Sequence, residues 1–435
     1  MDKKECVQTP ISRPPADHVP CMQIFVRKKK YKAREPEETV AVIKKILSDR
    51  GISTAEEKRY EAAPDVASSR VWLNDGILEM GDFGTNGKGM TEAYSLASAY
   101  AELMERLQNS ILFGDYSEDA YQKGLTKYMA APDEVMLSAA EAFDHGREVL
   151  TELLRLRSDD ADFSKISGED KMPCLPYHDV FNDSQVLLPH KTLRMVTGSN
   201  GMCAGNTYKE AVTQGLSELY ERAAVMECYR DEPVIKKIDP ECFAQNAVYS
   251  RLEKLKSIGY KYSILDLSMG KNYPVIGLLL EHNGSRAFKA GADPCPVTAL
   301  ERCLTEMFQG THTETLRLFK SECCPPFTSA DERTRYMINN EEIAYHVDGN
   351  GRIAHCLFNP SNEFAEFFAG TDAESEDADY DYLVGLTKQL GYGLYIRDCS
   401  YLGFPAYHVV IPQLSNYDLL YEDGADIYEW SFEKI

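Results

Sequence analysis

Apolar positions along the chain recur in two spacings. Some return every three or four residues, as on one face of a helix, and others alternate or cluster in short runs, as in strands. A helix is predicted from Pro36, with proline and acids in its first turn, to about Asp49, with Gly51 as its stop. Val71-Trp-Leu, Asn74-Asp-Gly76 and Ile77-Leu-Glu-Met80 read as a hairpin. Gly84-Thr-Asn-Gly-Lys-Gly89 reads as a glycine-rich turn before a helix from about Thr91 to Leu112. The same order returns later. A helix at about Ser250–Ile258 ends at Gly259, and strands Tyr262–Leu267, Val275–Glu281 and Arg286–Ala290 follow. Gly291-Ala-Asp-Pro then leads into a helix from about Val297 to Phe308. A third, partial copy is visible where Leu390–Ser400 echoes Ile258–Ser268, with a strand Ala406–Pro412 after it. This is a duplicated helix–strand–strand–strand–helix pattern. It predicts an α+β fold with helices packed on antiparallel sheets.

The polar positions carry a second pattern. Gly198-Ser-Asn-Gly-Met-Cys-Ala-Gly205 runs straight into a long helix on which Asn206, Glu210, Gln214, Glu218, Glu221 and Arg222 recur. At about 100° per residue, Gln214 lies ~40° and Glu221 ~20° from Glu210, while Val212, Leu216, Leu219 and Ala223 face the other way. Alone, such a stripe is ordinary surface amphipathicity. It lacks the interspersed lysines of a solvated face, however, and it occurs twice more. One further stripe is Ser98, Glu102, Glu105 and Arg106; the other is Arg302, Glu306 and Gln309. Each follows a glycine-bearing turn. Glycine lets backbone amides approach phosphate, and a helix N-terminus adds donors. Several converging carboxylates suit Mg²⁺, which takes hard oxygen ligands. The residues alone leave two readings open, a metal–nucleotide site and a buried Glu–Arg network that only ties three helices together, the latter costly to desolvate three times over.

Composition narrows the picture. The 435 residues, 43% of them hydrophobic, can bury one large core or two medium ones. A net charge of -22 argues against a nucleic-acid surface. No apolar run is long enough for a membrane helix. The start of the chain has no apolar signal core, and the twelve cysteines show no CxxC, which together predict a reduced, cytoplasmic setting. Residues 1–22, with four prolines, read as a flexible leader, and residues 23–435 as one catalytic domain. Asp159–Asp162 and Thr371–Asp381 read as acidic surface loops, His178, His190 and His408 as structural, and Cys203 as core filling. The P-loop pattern, GxGxxG after a strand, and HExxH are all absent.

Taken together, Asn86-Gly-Lys-Gly with Ser98 and Glu102-x-x-Glu-Arg106, then Ser199-Asn-Gly-Met-x-Ala-Gly-Asn-Thr with Glu210, Gln214 and Glu218-x-x-Glu-Arg222, then Ala299-Leu-Glu-Arg302 with Glu306, resemble the YcaO family from about Tyr31 to Val410. The resemblance implies an ATP- and Mg²⁺-dependent enzyme that phosphorylates a backbone amide oxygen so that a nucleophile can attack the carbon. A side-chain nucleophile would give an azoline, sulfide a thioamide, and an amine an amidine. It places Mg²⁺ on Glu102, Glu105, Glu218 and Glu221, with Glu210 joining them. It places nucleotide contacts on Ser98, Asn206, Gln214, Arg222, Arg302 and Glu306, with Lys32 and Thr39 on a less specific N-terminal segment. Glu221, Arg222 and Arg302 are the expected catalytic residues.

Azoline-forming members end in a proline-rich tail, and Asp426–Ile435 has no proline, so thioamide formation is the favoured expectation. The expected partners are a peptide or protein substrate, a TfuA-like or ubiquitin-activating-enzyme-like protein, and a second copy in a homodimer. An accessory ATP-binding role beside a separate methylthiolation system is the alternative.

Overall fold

The computed structural model describes residues 29, 31–62, 64–74, 84–109, 133–154, 171–309, 353–365, 369–372 and 374–416. The leader 1–22, the strand Ile77–Met80, the acidic segment Asp159–Asp162 and the C-terminal tail lie outside them.

Three antiparallel sheets carry the fold. The first joins β1 (Thr54–Glu61), β2 (Val66–Leu73) and β3 (Gly84–Gly89) in that order, preceded by helix α1 (Pro36–Asp49) and followed by α2 (Glu92–Gln108). The glycine-rich stretch expected to be a turn is therefore a strand. Its glycines are explained by packing: a Cβ at Gly87 would fall on Ser95 O and the Ala99 backbone, so helix α2 lies on the strand at backbone distance.

The remaining strands are β4 (Val135–Ser138), β5 (Lys171–Asp179), β6 (Ser184–Pro189), β7 (Met202–Ala204), β8 (Lys237–Ile238), β9 (Lys261–Asp266), β10 (Val275–His282), β11 (Ser285–Ala292), β12 (Tyr395–Asp398) and β13 (Ala406–Val410). Among the described residues, the remaining helices of eight residues or more are α3 (Ala139–Leu153), α4 (His190–Thr197), α5 (Tyr208–Asp231), α6 (Ala247–Ser257), α7 (Pro296–Met307) and α8 (Glu376–Gln389). The second sheet runs β11-β10-β9-β8. The third runs β4-β5-β12-β13-β7, with β6 on β5.

The duplicated pattern is present and goes further than expected. α1–β1–β2–β3–α2 is matched by α6–β9–β10–β11–α7. A third unit is split in sequence: α8–β12–β13 is completed by β7, which pairs antiparallel with β13 and leads into α5. The first helix of each unit ends at a glycine in the left-handed region, Gly51 (φ 67°), Gly259 (φ 98°) and Gly391 (φ 74°). The last helix of each unit packs on its strand through small residues. A Cβ at Gly291 would sit 2.9 Å from Cys303 N, and one at Gly215 would sit 2.9 Å from Cys203 Sγ. Cys203 is thus the core filler its sequence context suggested.

The stretch Thr371–Asp381 is not a loop throughout. Ser375 caps α8 by accepting from Ala378 N, and the acids Glu376, Asp377 and Asp379 occupy the helix's first turn, where its dipole favours them. Asp379 is fully buried.

Candidate functional site

The three polar stripes belong to helices that are otherwise buried. From Ala211 to Tyr229 every residue of α5 is buried except Gln214, Glu218, Glu221 and Arg222. An amphipathic surface helix would expose a whole face; α5 exposes one narrow line. On α7 from Pro296 onward only Thr298, Glu301, Arg302 and Glu306 escape burial, and on the equivalent part of α2, from Ser95, only Ala97, Ser98, Ala101, Glu102, Glu105 and Arg106 do.

The stripes are equivalent. Counted from the N-caps Thr91, Thr207 and Cys295, the seventh residue is Ser98, Gln214 or Arg302, the eleventh is Glu102, Glu218 or Glu306, and the fourteenth is Glu105, Glu221 or Gln309. One frame thus presents three sets of side chains.

Contacts between these residues tie the units together. Arg302 Nη2 donates to Gln214 Oε1, joining α7 to α5, and stands 3.5 Å from Asp293 Oδ2. Ala292 N donates to Glu221 Oε2 at 3.0 Å, joining β11 to α5. Lys88 of β3 pairs with Glu306 of α7, and Gln309 Nε2 donates to Asn86 O. Within α2, Arg106 reaches Glu102 at 3.4 Å and Glu105 at 3.6 Å; within α5, Arg222 reaches Glu218 at 3.4 Å.

The electrostatics mark Glu102, Glu105, Glu218 and Glu221 as one group. Burial pushes the Glu105 carboxyl well above its ordinary range, Arg106 opposes that, and the negative charges of Glu102 and Glu218 add to it. Burial likewise raises Glu221, against the pull of Lys88, Arg222 and Arg302 and with Glu218 adding. Burial pulls Lys88 down to about 8, although Glu221 and Glu102 hold its proton.

Glu210 sits in a different neighbourhood. It accepts from Asn206 Nδ2 at 3.2 Å, and Thr39 Oγ1 donates to Asn206 Oδ1 at 3.0 Å, so α1 closes over the start of α5. Burial raises the Glu210 carboxyl, and Glu376 adds to it. Lys32 lies with its Nζ 3.3 Å from the centre of the Tyr94 ring, in cation–π contact at the first turn of α2.

Among the described residues no three acids, histidines or cysteines close on one point as a finished metal site. The donors nevertheless suit Mg²⁺. They are hard carboxylate oxygens in mutual repulsion, two of them pushed toward the protonated form. A Mg²⁺ ion that takes one or two carboxylates and completes its shell with phosphate and water oxygens matches such a set.

Four residues of this region carried no assignment in the sequence. Lys88 was visible only as part of a motif. Asp293, 2% exposed, and Asp379, 0% exposed, are bridged by Lys29, whose Nζ lies 2.9 Å from Asp293 and 3.0 Å from Asp379. Tyr31 OH and Thr371 Oγ1 also donate to Asp379, the latter at 2.6 Å. Only tertiary contact brings these residues beside Arg302. Of the three histidines expected to be structural, His408 is buried between Tyr177 OH at 2.7 Å and Asn200 O at 3.3 Å, whereas His178 is exposed beside Asp183.

Known proteins share this sequence pattern and this fold. The chain is 30% identical over 399 residues, 87% of its length, to the ribosomal protein S12 methylthiotransferase accessory factor YcaO of Escherichia coli, and it spans 65% of that relative's length. Its fold matches a heterocyclase in complex with substrate and cofactor (TM-score 0.59, 19% identity, 89% of this chain and 53% of that one). It also matches the YcaO protein of Methanopyrus kandleri bound with AMPPCP and Mg²⁺ (TM-score 0.56, 17% identity, 89% of this chain and 93% of that one). Residues 86–415, which include all three acid-bearing helices, match the family described as YcaO cyclodehydratase, ATP- and Mg²⁺-binding, and the chain therefore belongs to the YcaO family.

Proposed function

We propose that this protein uses ATP and Mg²⁺ to activate a backbone amide of a peptide or protein substrate, with sulfur insertion to a thioamide favoured over ring closure to an azoline. The observation that carries the reading is the set of equivalent polar stripes, at matching positions from the N-cap, on three helices whose middle turns are otherwise mostly buried. In this proposal the amide oxygen attacks phosphorus, the bond from phosphorus to the leaving nucleotide oxygen breaks, and the nucleophile adds to the amide carbon. The carbon–oxygen bond then breaks and that oxygen leaves with phosphate. Bound Mg²⁺ would neutralise phosphate charge.

The chain's own residues position and stabilise. Glu102, Glu105, Glu218 and Glu221 would hold the metal. Arg222 and Arg302 would face the transferring phosphoryl group, with Arg302 already oriented by Gln214 and Asp293. Ser98, Gln214 and Glu306 would line the nucleotide, and Lys32, Thr39, Asn206 and Glu210 would close its other end.

One observation supports sulfur. The Escherichia coli relative is named for assistance to a methylthiotransferase, an enzyme of sulfur transfer. All eight described cysteines are buried, and burial pushes thiols such as Cys174 and Cys399 up to about 12, so the sulfur would come from outside these residues. The same relative favours a second reading, an accessory role beside a separate methylthiolating enzyme.

The test incubates the full chain with ATP, Mg²⁺, sulfide and candidate peptides, with and without a TfuA-like or methylthiotransferase partner. Product mass reads exchange of oxygen for sulfur against loss of water. Glu221→Gln and Arg302→Ala should each lower turnover by about 10²-fold or more. Full turnover in Glu221→Gln would overturn the site assignment, and a modified product formed only by the partner would favour the accessory reading.

A further inference from the structure

Two carboxylates lie almost wholly buried beside Arg302, and neither belongs to the polar stripes. Asp293 follows β11, and Asp379 sits in the first turn of α8. Burying a carboxylate is costly unless donors or a cation meet it. Asp379 accepts from Tyr31 OH and from Thr371 Oγ1 at 2.6 Å, and Asp293 Oδ1 accepts from Cys295 N at 2.9 Å. The cation is Lys29, whose Nζ lies 2.9 Å from Asp293 Oδ1 and 3.0 Å from Asp379 Oδ2. Burial works against the charge on Lys29, but Asp293 and Asp379 outweigh it and raise the ammonium above its ordinary range.

The balance of charge makes this more than a clamp. Asp293 divides its two oxygens: Oδ1 faces Lys29, and Oδ2 faces Arg302 Nη2 at 3.5 Å. The same Nη2 donates to Gln214 Oε1. Two carboxylates are thus matched by two cations. Of the two, Arg302 stands at the stripe of α7, 26% exposed, where an incoming phosphate can reach it. Without Lys29, Arg302 would face two buried carboxylates by itself. In a poorly polarisable interior that pull is strong, and the guanidinium would turn inward and leave Gln214. The charge of Lys29 also reaches Glu210, where it opposes the rise caused by burial and by Glu376.

We propose that Lys29 is a positioning residue for Arg302: by neutralising Asp379 and one oxygen of Asp293, it keeps the Arg302 guanidinium turned outward on Gln214, toward the transferring phosphoryl group. The link to the phosphoryl group rests on the nucleotide reading above; the placement of Arg302 does not.

The test begins without nucleotide, on crystals of the full chain. Arg302 should rest on Gln214 in the wild type and leave it in Lys29→Met. Adding Asp379→Asn to Lys29→Met leaves one carboxylate for one guanidinium, and Arg302 should return. Lys29→Gln, which keeps a donor but not the charge, gives the same comparison where Lys29→Met does not fold. In ATP hydrolysis with Mg²⁺, Lys29→Met should lower kcat about tenfold or more and leave KM for ATP within about threefold, while Lys29→Arg and the charge-matched double variant recover kcat to within about threefold of wild type. In an Arg302→Ala background, Lys29→Met should cost nothing further. A side chain that only held the fold would add its own loss there, and removing Asp379 would not rescue it. Arg302 unmoved in both neutral variants, or equal losses of kcat with and without Arg302, would overturn the proposal. If the wild type hydrolyses no ATP and Arg302 still moves as expected, the nucleotide reading falls and the hold of Lys29 on Arg302 stands.

Discussion

Burial raises the carboxyls of Glu105 and Glu221 above their ordinary range, and this gives the site a defined pH response. A carboxyl whose folded pKa exceeds its unfolded value binds more proton folded than unfolded. Its ionisation therefore costs stability as pH rises above the ordinary value of 4.5 and through the folded value. A divalent cation removes that cost. Mg²⁺ should raise the melting temperature more at pH 8 than at pH 5, and Glu105→Gln should flatten the difference; calorimetry with and without Mg²⁺ reads both. Lys88 gives the opposite proton movement. Its amine, pulled down to about 8, is partly neutral at pH 8, and a bound triphosphate would restore its charge. With Mg²⁺ saturating, ATP binding at pH 8 should take up more protons in the wild type than in Lys88→Met, visible as a dependence of binding heat on buffer. Equal uptake in the two proteins would separate Lys88 from the nucleotide. The glutamates were legible in the sequence because helical periodicity places them. Lys29, Lys88, Asp293 and Asp379 were not, because what gives them a role is burial against residues far away in the chain.

At the scale of elements, glycine content misleads where packing is close. β3 resembles a turn in composition, but Gly87 and Gly89 are there because α2 leaves no room for a Cβ. Gly87→Ala should therefore destabilise strongly, by about 3 kcal/mol or more. Gly385 offers the contrast: it lies on α8 with nothing within 4 Å of a built Cβ. Gly385→Ala should stabilise by about 0.5–1 kcal/mol. Chemical denaturation of the two variants measures both signs. The start of α8, as far as Asp381, was read as loop because it is acidic and lacks apolar periodicity; Glu376, Asp377 and Asp379 are N-terminal helix residues whose charge the dipole favours. The starts of α2 and α7 and the end of α7 fell within a residue of their expected places, since glycine-bearing turns and apolar period agreed there.

At the scale of the whole molecule, a frame of three units explains how three equivalent stripes come to be joined by contacts between their units. The sequence showed two units and the start of a third. The completion of the third was hidden because β7 and α5 precede β12 and β13 in the chain, so no local repeat records it. If that unit is one cooperative body, amides of β7 and β13 should exchange hydrogen with the same dependence on denaturant. Earlier loss of protection in β13 alone would show two bodies. No described helix is long and apolar enough to cross a membrane.

The split of the third unit also bears on how the molecule is made. During synthesis α5 leaves the ribosome with its strand β7, but the strand that pairs β7 ends roughly 180 residues later. At ~5–20 residues per second, that is a wait of about 10–40 s. Throughout it, a helix apolar on nearly every side has no finished sheet to lie on. The helix that carries Glu218 and Glu221 cannot be seated before β13 arrives. The capacity to hold nucleotide would then be among the last properties the nascent chain acquires, and a nascent chain stalled before that point would offer a hydrophobic helix to chaperones in place of a cleft to ATP.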